Sequence, residues 1–256
     1  MGFYKTEALV LRNREFNEAD QLVTLLSPDY GKLQVVARGA RKPKSRLRGG
    51  IQAFTLTNLL LHTGRSLDII TGTETGKCFY FREDLAKLTS AVYWADLLDR
   101  VLPEREANPA VYSLFLSLLY LLEATSSKLE EIRALDHLFE LKLISSAGYT
   151  PDLASCLRCG EVLRTKEGKL WFNLESGGII CNSCVHKAEL GILPVSRGTL
   201  ALMQQWISME VEQFWRIKGA AYNLQELDRL LPAYLEYHLE QKIPSVNLRD
   251  NLVRDY

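Results

Sequence analysis

The hydrophobic period of this chain changes once. Up to about residue 76 apolar and polar residues alternate with period two and β-branched residues are frequent, whereas after Asp84 apolar residues recur every three to four positions. A β-module is therefore expected ahead of an α-module. In the first stretch the pattern predicts five strands, Phe3–Leu11, Gln21–Leu26, Leu33–Ala37, Ala53–Leu61 and Leu67–Thr73. Pro28-Asp29-Tyr30-Gly31 and Thr63-Gly64-Arg65-Ser66 carry turn chemistry, and the link from Arg38 to Gly50 is too rich in Pro, Gly and charge to be a strand.

Five short strands at this spacing point to a small closed barrel, of which the OB-fold is the commonest with nucleic-acid partners. In the second stretch Leu85, Leu88, Val92, Ala95 and Leu98 fall on one helical face with Asp84 as cap. Asn108-Pro109 starts a second helix, and Ser127 with Glu130 forms a capping box for a third that reaches Ser146 and stops at Gly148. Turns take over from Thr150 to Leu190. Helices then resume over Thr199–Met209 and, capped by Asn223, to about Gln241 before Pro244. The expected fold is α+β and multidomain: a five-stranded OB-fold barrel over residues 1–80, an α-helical domain over 81–256, and a cysteine module inserted at 150–190.

That insert holds Cys156-Leu-Arg-Cys159, 21 further residues, and Cys181-Asn-Ser-Cys184. Two-residue spacers let each pair grip a metal from one tight turn, and four soft thiolates are the donor set of tetrahedral zinc. A redox pair would need only two of these cysteines and gives no reason for the others. One zinc ion per chain is expected, and a shell filled by four thiolates leaves no position for a reacting water, so its role is structural. His186, two residues beyond Cys184, is read as solvent-facing. Cys78, the fifth cysteine, stands apart as a buried thiol.

Net charge is zero, but its distribution is uneven. From Tyr30 through Leu67 there is no acidic residue, while Lys32, Arg38, Arg41, Lys42, Lys44, Arg46, Arg48 and Arg65 give eight positive charges, leaving the rest of the chain net minus eight. Six of them crowd into the eleven residues from Arg38 to Arg48, where cations along an extended link can follow successive phosphates. These eight residues are the expected nucleic-acid-binding set. Phe3, Tyr4, Phe16, Tyr30 and Phe54 are aromatic residues of the same barrel, and none is singled out for base stacking. No apolar run approaches the ~20 residues of a bilayer span. The N-terminal segment lacks the basic and apolar regions of an export signal, and the Cys-x-x-Cys pairs suit a reducing compartment, so a cytoplasmic protein is expected.

Catalytic signatures are absent. Gly72-Thr-Glu-Thr-Gly-Lys77 imitates a phosphate loop, but it is one residue short between the glycines and Cys78 stands where a magnesium-binding hydroxyl is needed. No nucleophile elbow, His-Glu-x-x-His or dinucleotide glycine pattern occurs, and His62, His137 and His238 are read as isolated structural histidines. The expectation is a protein without enzymatic activity.

Several separated strings resemble the bacterial recombination mediator family RecO: Glu18-Ala-Asp20, Gly31-Lys32-Leu33, the run from Val36 to Ser45, and Phe139-Glu-Leu-Lys-Leu-Ile-Ser-Ser-Ala-Gly-Tyr-Thr-Pro-Asp-Leu153 leading into Cys156. The resemblance spans essentially the whole chain. It implies a DNA-repair protein that binds single- and double-stranded DNA, anneals complementary strands, engages the acidic tail of single-stranded DNA-binding protein, and acts with RecR to load the RecA recombinase. It further implies that Cys156, Cys159, Cys181 and Cys184 are the zinc ligands and that Lys32, Arg38, Arg41, Lys42, Lys44 and Arg46 belong to the DNA-contacting barrel surface, which Arg48 and Arg65 join by charge alone. For the acidic tail, the third helix offers Leu135, Leu138 and Phe139 flanked by Arg133 and Lys142. The alternatives are a zinc-containing OB-fold transcription or translation factor and a hydrolase with structural zinc. The first predicts no strand annealing, and the second needs a carboxylate cluster that the sequence does not display.

Overall fold

The computed structural model describes residues 2–163, 168–186 and 190–246. The described chain forms two compact units, residues 1–123 and 124–256. The change of period at residue 80 is thus a change of secondary structure inside the first unit, and the first two helices belong with the strands in compactness.

The first unit contains β1 (Phe3–Phe16), β2 (Asp20–Ser27), β3 (Gly31–Ala37), β4 (Thr55–His62), β5 (Asp68–Cys78), α1 (Leu85–Val101) and α2 (Pro109–Ala124, reaching one residue past the unit's edge). The strands close in the order β1-β2-β3-β5-β4, with β4 pairing back on β1. This is an OB-like five-stranded arrangement. β1 outruns its expected end at Leu11 because it serves two neighbours in succession: Phe3 to Leu9 pair with β4, and Leu9 to Phe16 pair with β2 across a register shift after Val10. β5 likewise runs to Cys78, so the Gly72–Lys77 string is extended strand rather than a phosphate loop.

The seam of the barrel is its one parallel pairing. β3 and β5 meet only at Val35↔Asp68 and Val36↔Ile69. The link from β3 to β4 completes the closure: Ala40 and Ile51 are buried in the barrel core with Ala8, Val10, Val23, Leu25 and Leu61, and Leu47 packs against it. Gly50 lies so close to β5 that a Cβ there would come within 2.6 Å of Thr73 Cβ.

Asp84 caps α1 as expected, accepting from Ala86 N at 3.0 Å and Lys87 N at 3.2 Å. The buried face differs from the expected one. Ala95 and Leu98 are buried as expected, but Leu85 and Val92 are exposed and Ala91, Tyr93, Trp94 and Leu97 face inward, because two large aromatic residues remove more apolar area from water than the leucine and valine they displace.

The second unit contains α3 (Leu129–Ser146), a four-stranded sheet ordered β6-β8-β7-β9 (β6 Asp152–Cys156, β7 Leu170–Asn173, β8 Gly178–Cys181, β9 Ile192–Val195), then α4 (Arg197–Ser208) and α5 (Ala221–Leu239). The outer strands β6 and β9 escape a reading by period because four or five residues cannot display one. The expected capping box of Ser127 and Glu130 does not form: α3 starts after Lys128, which makes no side-chain cap hydrogen bond, and Ser126 Oγ donates to the Glu131 carboxylate at 2.7 Å. Asn223 lies inside α5 and donates to Thr199 Oγ1 at 3.1 Å, tying α5 to the start of α4 instead of capping its own helix.

Gly31-Lys32-Leu33 acquires a physical explanation. Gly31 has φ +66°, and a Cβ would lie 1.9 Å from the carbonyl oxygen of Glu106. Lys32 forms an isolated parallel backbone β-bridge with Glu104 and its carbonyl accepts from Arg105 N at 2.8 Å, while Leu33 enters the core. Replacement Gly31→Ala collides with main chain and is expected to destabilise the first unit by more than about 2 kcal/mol, read as a lowered denaturant midpoint with an unchanged m-value.

Candidate nucleic-acid interface and metal centre

The tip of the β1–β2 hairpin holds the basic link in place. Asp20 Oδ1 accepts from Gly39 N at 2.8 Å, Ala19 O accepts from Arg41 N at 3.0 Å, and Glu18 O accepts from the Arg41 guanidinium at 3.1 Å. Arg41 also pairs with Glu15 at 2.9 Å. Gly39, at φ +66°, lets the chain turn sharply into this grip. The string Glu18-Ala-Asp20 is therefore the clamp for the run beginning at Val36. Inward Ala40, Leu47 and Ile51 anchor the link, while Arg38, Lys42, Lys44, Arg46 and Arg48 are all exposed and none is in an ion pair among the described residues.

Two of the expected contacts stand apart from this surface. Lys32 is 6% exposed, its ammonium held by Asp99 through the carboxylate at 3.2 Å and the carbonyl at 2.5 Å, so its charge is compensated inside the first unit. Arg65 lies in the β4–β5 turn; strand register sets that turn beside the β2–β3 turn, at the opposite end of the barrel from the hairpin tip. Arg41, neutralised by Glu15, positions the loop more than it adds free charge. Conversely Arg14 and Phe16, two residues apart on β1 and both exposed, border the clamp. Their signal in the sequence was the same alternation that defined β1, had the strand been extended to its true end. Of the other barrel aromatics, Phe54 is buried, Tyr4 donates to Asp68 and stacks on Tyr30, and Phe3 lies against His62, all away from the basic face.

In the second unit the four cysteines converge: their sulfur atoms all lie within 4.8 Å of one another. Cys159 and Cys181 Sγ are 3.9 Å apart, close to the edge of a tetrahedron with metal–sulfur bonds of about 2.3 Å. Each pair sits in a tight turn, closed by Gly160 N to Cys156 O at 2.9 Å and Cys184 N to Cys181 O at 3.0 Å, and Gly160 adopts φ +71°. Burial opposes ionisation of Cys181, but hydrogen bonds from Ser183 and the neighbouring thiols outweigh it and bring its pKa down to about 6. Through its hydrogen bond to Cys181, Cys184 is pushed up to about 12. Crowding four thiols makes them share protons, and a cation at their centre resolves that conflict. The cluster can hold a metal ion. His186 is exposed and stays outside it.

The expected tail-binding groove on α3 is not a groove. Leu135, Leu138 and Phe139 are fully buried, and α3 packs against α4 and α5. Arg133 pairs with Asp228, and Lys142 donates to the carbonyls of Ile207 at 2.9 Å and Met209 at 2.5 Å at the end of α4. Burial lowers the Lys142 pKa. His137 is buried between Glu140 at 2.8 Å and Asp228 at 3.0 Å. The leucine stripe was correctly periodic, but a period marks an apolar face without saying whether the chain itself covers it.

The family model described as Recombination protein O N terminal matches residues 1–79, and that described as Recombination protein O C terminal matches residues 82–246. The chain belongs to the RecO family. Among RecO relatives, the DNA repair protein RecO of Desulforamulus reducens is 37% identical over 99% of this chain and 96% of its own length. The protein of that name from Symbiobacterium thermophilum is 35% identical over 98% of both. That of Desulfitobacterium hafniense DCB-2 is 34% identical over 99% of this chain and 91% of its own. RecO is thus a DNA-repair family with a cysteine cluster in this member able to carry a metal. No helix among the described residues is long and apolar enough to cross a membrane.

Two outcomes follow. Cys181→Ser should leave the purified protein with well under one bound metal ion per chain by elemental analysis, against one in the unaltered chain. Arg133→Glu removes the cation paired with Asp228 and sets a second carboxylate beside it, and should destabilise the second unit by about 3 kcal/mol in chemical denaturation.

Proposed function

We propose that this chain is a non-enzymatic recombination mediator that binds single- and double-stranded DNA through the β3–β4 loop and anneals complementary strands. The observation that carries this reading is the division of labour within the loop: Ala40, Leu47 and Ile51 anchor it in the barrel, while Arg38, Lys42, Lys44, Arg46 and Arg48 stay exposed with no ion pair among the described residues. Phosphate contacts of this type are sequence-independent. Neutralising the backbones of two strands lowers their repulsion and lets base pairing proceed, with no covalent step. Family membership supports the remaining parts: action on DNA coated by single-stranded DNA-binding protein, engagement of that protein's acidic tail, cooperation with RecR, loading of RecA, and residence with the nucleoid in the cytoplasm. With the α3 stripe buried, the tail must be met elsewhere than at Leu135, Leu138 and Phe139. For the metal centre we propose one structural zinc, whose preference for four thiolates in a tetrahedron the cluster satisfies.

Affinity for a single-stranded oligonucleotide should fall with salt by about 0.7 in log–log slope for each phosphate neutralised. Lys42→Ala/Lys44→Ala/Arg46→Ala should therefore flatten the slope by about 2, measured by fluorescence anisotropy across a salt series, and slow annealing of labelled complementary strands. An unchanged slope would remove the loop from the interface. Cut strands in the annealing assay would instead indicate a nuclease.

A further inference from the structure

Beyond the basic loop, the first unit displays a second organised surface. Past Thr75 on β5, the ammonium of Lys77 lies over three rings, at 5.4 Å from the centroid of Phe79, 5.7 Å from that of Tyr120 on α2 and 5.8 Å from that of Tyr80. Glu123 fixes the arrangement by accepting from Lys77 Nζ and from Tyr80 N, both at 2.7 Å. Phe79 is buried and packs edge-on against Tyr120; of the two outer rings Tyr80 is 77% exposed and Tyr120 45%.

Isolated exposed tyrosines are ordinary, but these two are held in register by a cation and a carboxylate that compensate each other. The cluster continues the basic loop. Gly49, next to Arg48, approaches the Thr75 side chain, a Cβ there lying 3.9 Å from Thr75 Oγ1. Lys77 is two strand residues further on, roughly 7 Å along β5. A strand whose phosphates follow the loop past Arg48 therefore arrives at two fixed, exposed aromatic rings.

We infer that Tyr80 and Tyr120 form a stacking platform for unpaired nucleobases, extending the phosphate-binding loop and giving this chain its discrimination of single-stranded from double-stranded DNA. This rests on the reading of the loop as the DNA-binding surface. Every base offers a π-face, so the platform is sequence-tolerant, and a duplex, whose bases are already stacked, cannot use it. Because the charges of Lys77 and Glu123 cancel, the platform acts through ring faces and adds nothing to the count of neutralised phosphates.

Tyr80→Ala is the variant of choice, since the ring is mostly in water and its loss leaves Phe79 and Tyr120 packed. Affinities for an oligothymidine and for a duplex of the same length should be measured across a salt series, together with the fluorescence of an oligonucleotide bearing 2-aminopurine. Tyr80→Ala should weaken oligothymidine binding at least about 5-fold with an unchanged salt slope and unchanged duplex affinity, and reduce 2-aminopurine quenching; Tyr80→Phe should restore both. Unchanged oligothymidine affinity, or equal losses for both DNA forms, would overturn the platform. Failure of the loop itself reads differently: Lys42→Ala/Lys44→Ala/Arg46→Ala would then leave the salt slope untouched whatever Tyr80→Ala does.

Discussion

The clamp between the β1–β2 hairpin tip and the β3–β4 loop is the constraint on which the first unit depends. A barrel with a parallel seam of two residue pairs is incompletely closed by its strands. The loop completes it, and can do so because Asp20 and the carbonyls of Glu18 and Ala19 fix its first turn while Ala40, Leu47 and Ile51 occupy the opening. One segment thus closes the core and carries the charge. The opposition of inward alkyl groups and outward cations is enforced by the same desolvation cost that keeps unpaired charges out of any interior.

The two units illustrate different uses of local electrostatics. In the first, the loop cations Arg38, Lys42, Lys44, Arg46 and Arg48 have no ion-pair partner among the described residues, while Arg12 and Lys32 pair with Asp99, Arg105 with Asp68 and Lys77 with Glu123. In the second, charges face one another: Arg133 with Asp228, His137 with Glu140 and Asp228, Lys142 with the last carbonyls of α4. A helix C-terminus is a natural place for an ammonium, since it concentrates unsatisfied carbonyl groups. The cysteine cluster is a third arrangement, in which like groups are gathered for a cation to join.

What the sequence made legible followed from how local each signal is. The cysteine pairs, Asp84 as a cap and the alternation of β1 to β5 are written in neighbouring residues, and all appear in the structure. Signals that depend on partners distant in sequence were not readable. Lys32 belongs to the basic window by composition, yet its fate is decided by Asp99, 67 residues away. Arg65 shares the window but not the end of the barrel, a distinction that requires strand register. The face of α1 was misread because the aromatic pair Tyr93–Trp94 outweighs the leucine period, and the α3 stripe because the helices that cover it come later in the chain.

Because the loop's backbone is fixed by the core, its cations differ physically from those of a basic tail. A tail loses conformational freedom when it wraps a polyanion; this row has already lost it on folding, so binding incurs little ordering cost. In the proposed complex the row also sets the spacing between charges, to which the more flexible nucleic-acid strand would conform. A strand so held keeps its sugar-phosphate backbone toward the protein while its unengaged bases remain free to face a second strand, the geometry that pairing between two bound partners demands.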